Sequence, residues 1–224
     1  MNIFKHRGAL GDIIYAIPTI KALGGGILYI TKAHQHEFLK SLLSLQYGIE
    51  TRGGKAIDVT HDMNRYRAID EKANGSKHLA FCHSEAFNVN CNITDSWIQV
   101  LPTYKADVVV SRSSRYHDKE EIDWTLLKEY DVLFLGFKRD YNTFVNKVGF
   151  SPKQMECKDA LEMAQVIAGS KLFVGNQSLA FALAEAMKHP RVLEVCYDKN
   201  NCQPHGKDGY TCLTKELIGG YLND

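Results

Sequence analysis

Gly8-Ala9-Leu10-Gly11-Asp12-Ile13-Ile14, directly behind the short run Asn2-Ile3-Phe4, is the stretch whose reading decides the fold. It reads as strand, tight polar turn, helix. The pattern returns near the other end as Leu172-Phe173-Val174-Gly175-Asn176-Gln177-Ser178, followed by an apolar run from Leu179 to Lys188. At such a turn, free backbone N–H groups and the positive end of the helix dipole face the same point, which suits an anion. Two of these turns far apart in one chain predict two lobes meeting at a cleft.

Working outward from the first turn, Ile13, Ile14, Ile17 and Ile20 fall at helical spacing, with Asp12 as the cap and an end near Leu23. Pro18 lies inside that helix and should cost it a hydrogen bond. Gly24-Gly25-Gly26 ends it. A strand over Ile27 to Thr31, a helix over Glu37 to Leu45 and a short strand over Ile57 to Val59 follow. The polar run from His61 to Gly75 reads as loop or exposed helix, and Lys77 to Pro102 shows no clean period. The second half predicts strands at Ala106–Val110, Val132–Leu135, Leu172–Val174 and Val192–Val195. Its predicted helices are Trp124–Tyr130, Ala160–Ala168, Leu179–Lys188 and Lys215–Tyr221. Strands alternating with helices argue for parallel sheets covered on both faces, an α/β chain of two Rossmann-like lobes. Leu101-Pro102-Thr103-Tyr104 is the natural linker, giving lobes over 1–104 and 105–224.

The 224 residues carry 27 Lys and Arg against 26 Asp and Glu, a formal charge of +1. No global basic field advertises a nucleic-acid partner. None of the six cysteines forms a C-x-x-C pair, and the longest apolar run, around Val132 to Phe137, is too short to span a bilayer. With no secretory signal in view, these features lead us to expect a cytoplasmic protein with reduced thiols. G-x-G-x-x-G, a Walker-type Gly-Lys-Ser, Asp-x-Asp and Gly-x-Ser-x-Gly are all absent. We therefore expect no cofactor and no metal.

The run Arg7-Gly8-Ala9-Leu10-Gly11-Asp12-Ile13-Ile14-Tyr15-Ala16-Ile17-Pro18 resembles the N-terminal pattern of glycosyltransferase family 9, the ADP-heptose:lipopolysaccharide heptosyltransferases, including its proline. The second half resembles that family's donor lobe. It has a strand with a Ser/Arg turn (Val110-Ser111-Arg112-Ser113-Ser114-Arg115), a strand ending in Gly136, and Gly175-Asn176-Gln177-Ser178 for the Gly-Asn-Asp-Ser turn. The resemblance implies a GT-B architecture and an inverting transferase. The C-terminal lobe would hold a nucleotide-diphosphate sugar and the N-terminal lobe would present an acceptor hydroxyl. The closing helix would cross back to the N-terminal lobe. The chain departs from the pattern at Gln177, where the family carries an acid, and at Leu179 and Ala182, where it carries Gly and His. The N-terminal lobe is also short, so acceptor recognition does not carry over.

In this reading Asp12 is the catalytic base, because a sugar hydroxyl needs a carboxylate within reach to take its proton. A nucleoside diphosphate leaving group calls for cations and N–H donors. Arg112, Arg115, Gly175, Asn176, Gln177 and Ser178 are the candidates to hold it, and Glu194 the candidate to accept the ribose hydroxyls. His6, Arg7 and Gly11 flank the first turn and are candidates for the cleft. The acceptor would be a glycan or small molecule. One rival keeps the chemistry but makes hydroxymethylated DNA the acceptor, tracked by Lys32, His34, His36, Arg52, Lys55, Arg65 and Arg67. A second rival is a domain that binds a nucleotide without turnover.

Overall fold

Ile3–His6 (β1) is the strand expected before the first glycine turn, and it lies inside its sheet. The structure is a computed structural model that describes residues 1–116 and 122–222. After β1 come α1 (Leu10–Ala22), β2 (Gly26–Ile30), α2 (Ala33–Leu43), β3 (Ile49–Gly53) and β4 (His61–Asp62). A 3-10 turn then leads to α3 (Tyr66–Lys72) and α4 (Leu79–Ala86). These strands pair in parallel in the order β3-β2-β1-β4. The second half contributes β5 (Ala106–Ser111), β6 (Val132–Leu135), α5 (Lys138–Val148), β7 (Lys153–Met155) and α6 (Ala160–Ala168). It continues with β8 (Ser170–Asn176), α7 (Leu179–Met187), β9 (Arg191–Glu194), β10 (Gly209–Tyr210) and α8 (Lys215–Leu222). Its strands are also parallel, in the order β10-β9-β8-β5-β6-β7. Two parallel sheets with helical crossovers are the α/β architecture the alternation predicts.

The differences have physical causes. Ile57 to Val59 is not a strand: Ile57 is 75% exposed in a loop. The edge position belongs instead to β3, whose Ile-Glu-Thr-Arg-Gly sequence buries only Ile49 and so carries no apolar signal. The polar helix α5 buries only Phe144 and Val148. Trp124–Leu127 forms a 3-10 turn and not the longer helix expected there. The closing helix α8 does not cross back. Ile218 and Leu222 pack with Val108, Val110 and Leu172 on the second sheet, and Lys171 Nζ donates to the Leu222 carbonyl.

The larger apolar core runs through both halves. It takes in Ile13, Ile17 and Ile20 of α1 together with Phe181, Ala182 and Leu183 of α7. Trp97 stitches these two helices. Its backbone N–H donates to the Ala186 carbonyl at 2.9 Å, and its indole Nε1 donates to the Ile14 carbonyl at 3.1 Å. Ile14 O is the acceptor that residue 18 would normally satisfy within a helix, and Pro18 has no N–H to give. The indole replaces the missing donor, so the proline is accommodated in a buried stretch of helix.

Trp97→Phe keeps a ring but strands that carbonyl. We expect a loss of about 1–3 kcal/mol in chemical denaturation. In a Pro18→Ala background, where position 18 regains a backbone N–H, the same change should cost measurably less. Equal costs in the two backgrounds would contradict the replacement.

Candidate functional site

In open parallel sheets, ligands bind beyond the carboxyl ends of the strands. Here β1 runs into the turn before α1, and β8 into the turn before α7. Because α1 and α7 lie side by side, both helix N-termini open into one cleft of about 560 Å³. Gly11 lies where the two helices meet: a Cβ there would sit 3.6 Å from Ala182 Cβ and 3.7 Å from the Ser178 carbonyl oxygen. A larger cavity of about 690 Å³ lies beside the far ends of α2, α6 and α7. Its lining includes Leu45, Ile98, Leu101 and Met187 and no Asp, Glu, Lys or Arg. The cleft, and not this cavity, is where Asp12, Asp70 and the cationic side chains gather.

Asp12 lines it, with its side chain 21% exposed. It is not the cap residue itself. Ala9 holds that position, and Asp12 reaches back from the third helical residue so that Oδ2 accepts the Ala9 N–H at 3.0 Å. This is one half of a capping box. The same Oδ2 accepts from the Tyr66 hydroxyl at 2.7 Å and lies 3.7 Å from Arg67 Nη2. A Cβ on Gly8 would come within 2.8 Å of Oδ2 and 2.6 Å of the His6 ring, so the turn needs glycine there.

The cleft is rimmed by cations. Arg7, Lys32, Arg67, Arg115 and Lys199 line it against Asp12 and Asp70. Among the described residues, no carboxylate forms an ion pair with Arg7, Lys32, Arg115 or Lys199. Gln177 and Ser178 line it as expected. Ser178 Oγ accepts the Phe181 N–H and caps α7. Gln177 Nε2 donates to Asn201 Oδ1 at 2.5 Å, and Asn201 Nδ2 donates to Asp70 at 2.9 Å. The Asn201 carbonyl also accepts the Leu79 N–H. Asn201 thus ties the loop after β9 to α3 and α4 across the cleft.

Other expected residues lie elsewhere. Arg112 and Glu194 are brought together, but with each other: a bidentate pair at 2.7 and 2.8 Å, side chains 4% and 1% exposed, away from the cleft lining. Both charges are spent inside the second lobe, which corrects the phosphate and ribose roles read for them. Gly175 and Asn176 are buried as well. Gly175 permits close approach to the Ser111 carbonyl. The Asn176 amide accepts the Ser113 N–H at 3.0 Å and donates to the carbonyls of Ser113 and Arg115, holding the loop that carries Arg115. His6 sits behind the turn, fully buried, its Nδ1 accepting the Gly8 N–H at 2.9 Å. Of the basic track, Lys32 and Arg67 reach the cleft, Arg52 pairs with Glu50 and Arg65 lies over Phe87.

Tyr66 and Asp70 of α3, and Lys199 and Asn201 of the loop after β9, also line the cleft. All fall in polar stretches whose periodicity says nothing about facing Asp12. Among the described residues no group of three or more His, Cys, Asp or Glu could hold a metal ion. No described helix is long and apolar enough to cross a membrane.

No family model and no curated protein matches the chain. Solved structures do. The glycosyl transferase family 9 protein of Veillonella parvula aligns with a TM-score of 0.61 at 12% identity, over 94% of this chain and 86% of its own. E. coli heptosyltransferase WaaC with ADP gives 0.62 at 11% identity, over 99% and 96%. The fold is that of the family 9 glycosyltransferases. The dodecameric, iron-containing heptosyltransferase TibC of enterotoxigenic E. coli, in complex with ADP-D-β-D-heptose, gives 0.59 at 15%, over 95% of this chain and 62% of its own. The family 9 fold carries the two facing lobes that the resemblance implied.

Two measurements check this geometry without a ligand. Glu194→Gln leaves Arg112 buried without its counter-charge, and should cost about 3–5 kcal/mol of stability by denaturant titration. A cost below about 1 kcal/mol would return Glu194 to the ligand side. Acid should also weaken the fold. Burial lowers His6 and His78 from 6.5 to about 3, and lowers His83 well below 6.5. All three stay neutral when folded and take up protons on unfolding. Their contribution is complete above pH 6.5 and is lost as pH falls from 6.5 toward 3. The loss should reach about 2 kcal/mol per histidine by pH 5. Neither ring nitrogen of His83 has a side-chain hydrogen-bond partner among the described residues, so His83→Phe should flatten the fall in Tm between pH 7 and 5. An unchanged slope would contradict the assignment.

Proposed function

We propose that the chain transfers a sugar from a nucleoside-diphosphate sugar to an acceptor hydroxyl, with inversion at the anomeric carbon and without a metal ion. One observation carries the reading: Asp12 shares a cleft with the N-terminus of α7 and with cations that have no described carboxylate partner, Arg115 and Lys199. The first-turn N–H groups of a helix have no intrahelical acceptor, and its dipole favours a phosphate there. The ADP and ADP-heptose held by solved proteins of this fold support the same donor class.

Asp12 Oδ1 has no hydrogen-bond partner among the described residues, while Oδ2 is engaged. The acceptor hydroxyl gives its proton to Oδ1 as its oxygen bonds to the anomeric carbon. The bond from that carbon to the diphosphate breaks on the opposite side. The electron pair leaves with the diphosphate, received by the α7 N-terminus, Ser178, Arg115 and Lys199. Gln177 faces the donor sugar, and Arg7 and Lys32 border the acceptor side. Cationic side chains do the charge neutralisation, so chelation with EDTA should leave the rate unchanged.

The test begins with thermal melts against ADP, UDP, GDP, CDP and dTDP and their sugars, since a ligand of the native state raises Tm by mass action. Asp12→Asn should keep the nucleotide-induced rise and lose at least about 100-fold in sugar-nucleotide turnover. A wild-type rate in Asp12→Asn would sink the mechanism. Binding without turnover, in wild type as well, would favour a nucleotide-binding domain.

A further inference from the structure

Asp12 is held through one oxygen only. Oδ2 receives the Ala9 N–H at 3.0 Å and the Tyr66 hydroxyl at 2.7 Å, with Arg67 Nη2 at 3.7 Å. The backbone N–H is supplied by the helix start and would be there in any capping box. The phenol comes from a separate element, α3, some 54 residues further along the chain. It is 3% exposed. Its ring is clamped against His83 at 4.2 Å and His6 at 5.9 Å, with the Arg67 guanidinium 5.3 Å from its centroid. A buried, stacked phenol aimed at one carboxylate oxygen is a rigid donor.

From this geometry we infer that Tyr66 is a positioning residue for the proton transfer. Its hydroxyl fixes the Asp12 carboxylate so that Oδ1 faces the acceptor, and it stabilises the charged form from which transfer begins. The inference rests on Asp12 being the base. Burial and the adjacent carboxylate both push the Tyr66 ionisation upward, so it stays a donor throughout the working range. The other ionisable groups around the pair are Arg67 and Asp70 from α3, His6 from β1, His83 from α4 and Cys202 from the loop after β9. Burial keeps both histidines neutral and raises the Cys202 thiol to about 12. None of these three titrates between about pH 6.5 and 9.

The experiment measures turnover of the best nucleotide sugar from the panel above against pH, in wild type, Asp12→Asn and Tyr66→Phe. Tyr66→Phe removes only the hydroxyl and keeps the stacked ring. We expect kcat to fall about tenfold with KM within about twofold, and the acid limb of the pH profile to move to higher pH. Fluorotyrosine at position 66, a stronger donor in the same shape, should move that limb to lower pH. A Tyr66→Phe enzyme with wild-type kcat and an unmoved acid limb overturns the inference while leaving Asp12 as base, provided Asp12→Asn is dead. So does a drop in kcat for Tyr66→Phe when fluorotyrosine leaves the acid limb in place or moves it to higher pH, because that pattern reports damaged packing. An active Asp12→Asn enzyme overturns the base itself, and Tyr66 with it.

Discussion

The packing of α1 against α7 is the constraint from which the rest follows. Each helix springs from a tight turn at the end of an interior strand, one in each sheet. Lying side by side, they turn two ordinary helix starts into opposite walls of one cleft. The contact is built from small and branched residues, with Gly11 against Ala182 and the isoleucines of α1 in the same core as Phe181. Trp97 binds the pair by pairing its backbone with the end of α7 and its indole with the carbonyl that Pro18 leaves open. A helix-breaking residue is tolerated because a distant donor answers for it.

Charge is sorted by depth. Arg112–Glu194 and Arg191–Glu185 are buried pairs. Arg191 also donates to the carbonyls of His189, His205 and Lys207. These contacts hold the chain after β9, which brings Lys199 and Asn201 to the cleft. At the rim, Arg67 lies near Asp12, while Arg7, Lys32, Arg115 and Lys199 have no described carboxylate partner. A buried arginine with a matched carboxylate shapes the lobe, whereas an exposed one beside a helix N-terminus is free for an anionic ligand.

That division explains what was legible from residue order. The glycine turns, β1, α1, α6 and α7 announce themselves because their apolar spacing is strong and their faces are buried. The place of Asp12, Gln177 and Ser178 in the cleft follows from where those turns point, and that of Arg115 from the Ser/Arg turn after β5. The Arg112–Glu194 pair is hidden because a single sequence cannot reveal that two charges 82 positions apart neutralise each other. Tyr66 and Asp70 were invisible because α3 is short and polar, its place set by contact with α4 and not by its own pattern. The edge strand β3 and the solvent-facing α5 hid for the same reason: little of either is buried.

The central claim is that a diphosphate sits between the start of α7 and the Asp12 carboxylate. A crystal structure with a bound nucleoside diphosphate tests it most directly. The account predicts phosphate oxygens on the backbone N–H groups at the start of α7, with Arg115 or Lys199 alongside and Asp12 Oδ1 facing the terminal phosphate across a gap wide enough for a sugar ring. A diphosphate bound anywhere else, or one that turns Asp12 away from it, would contradict the account.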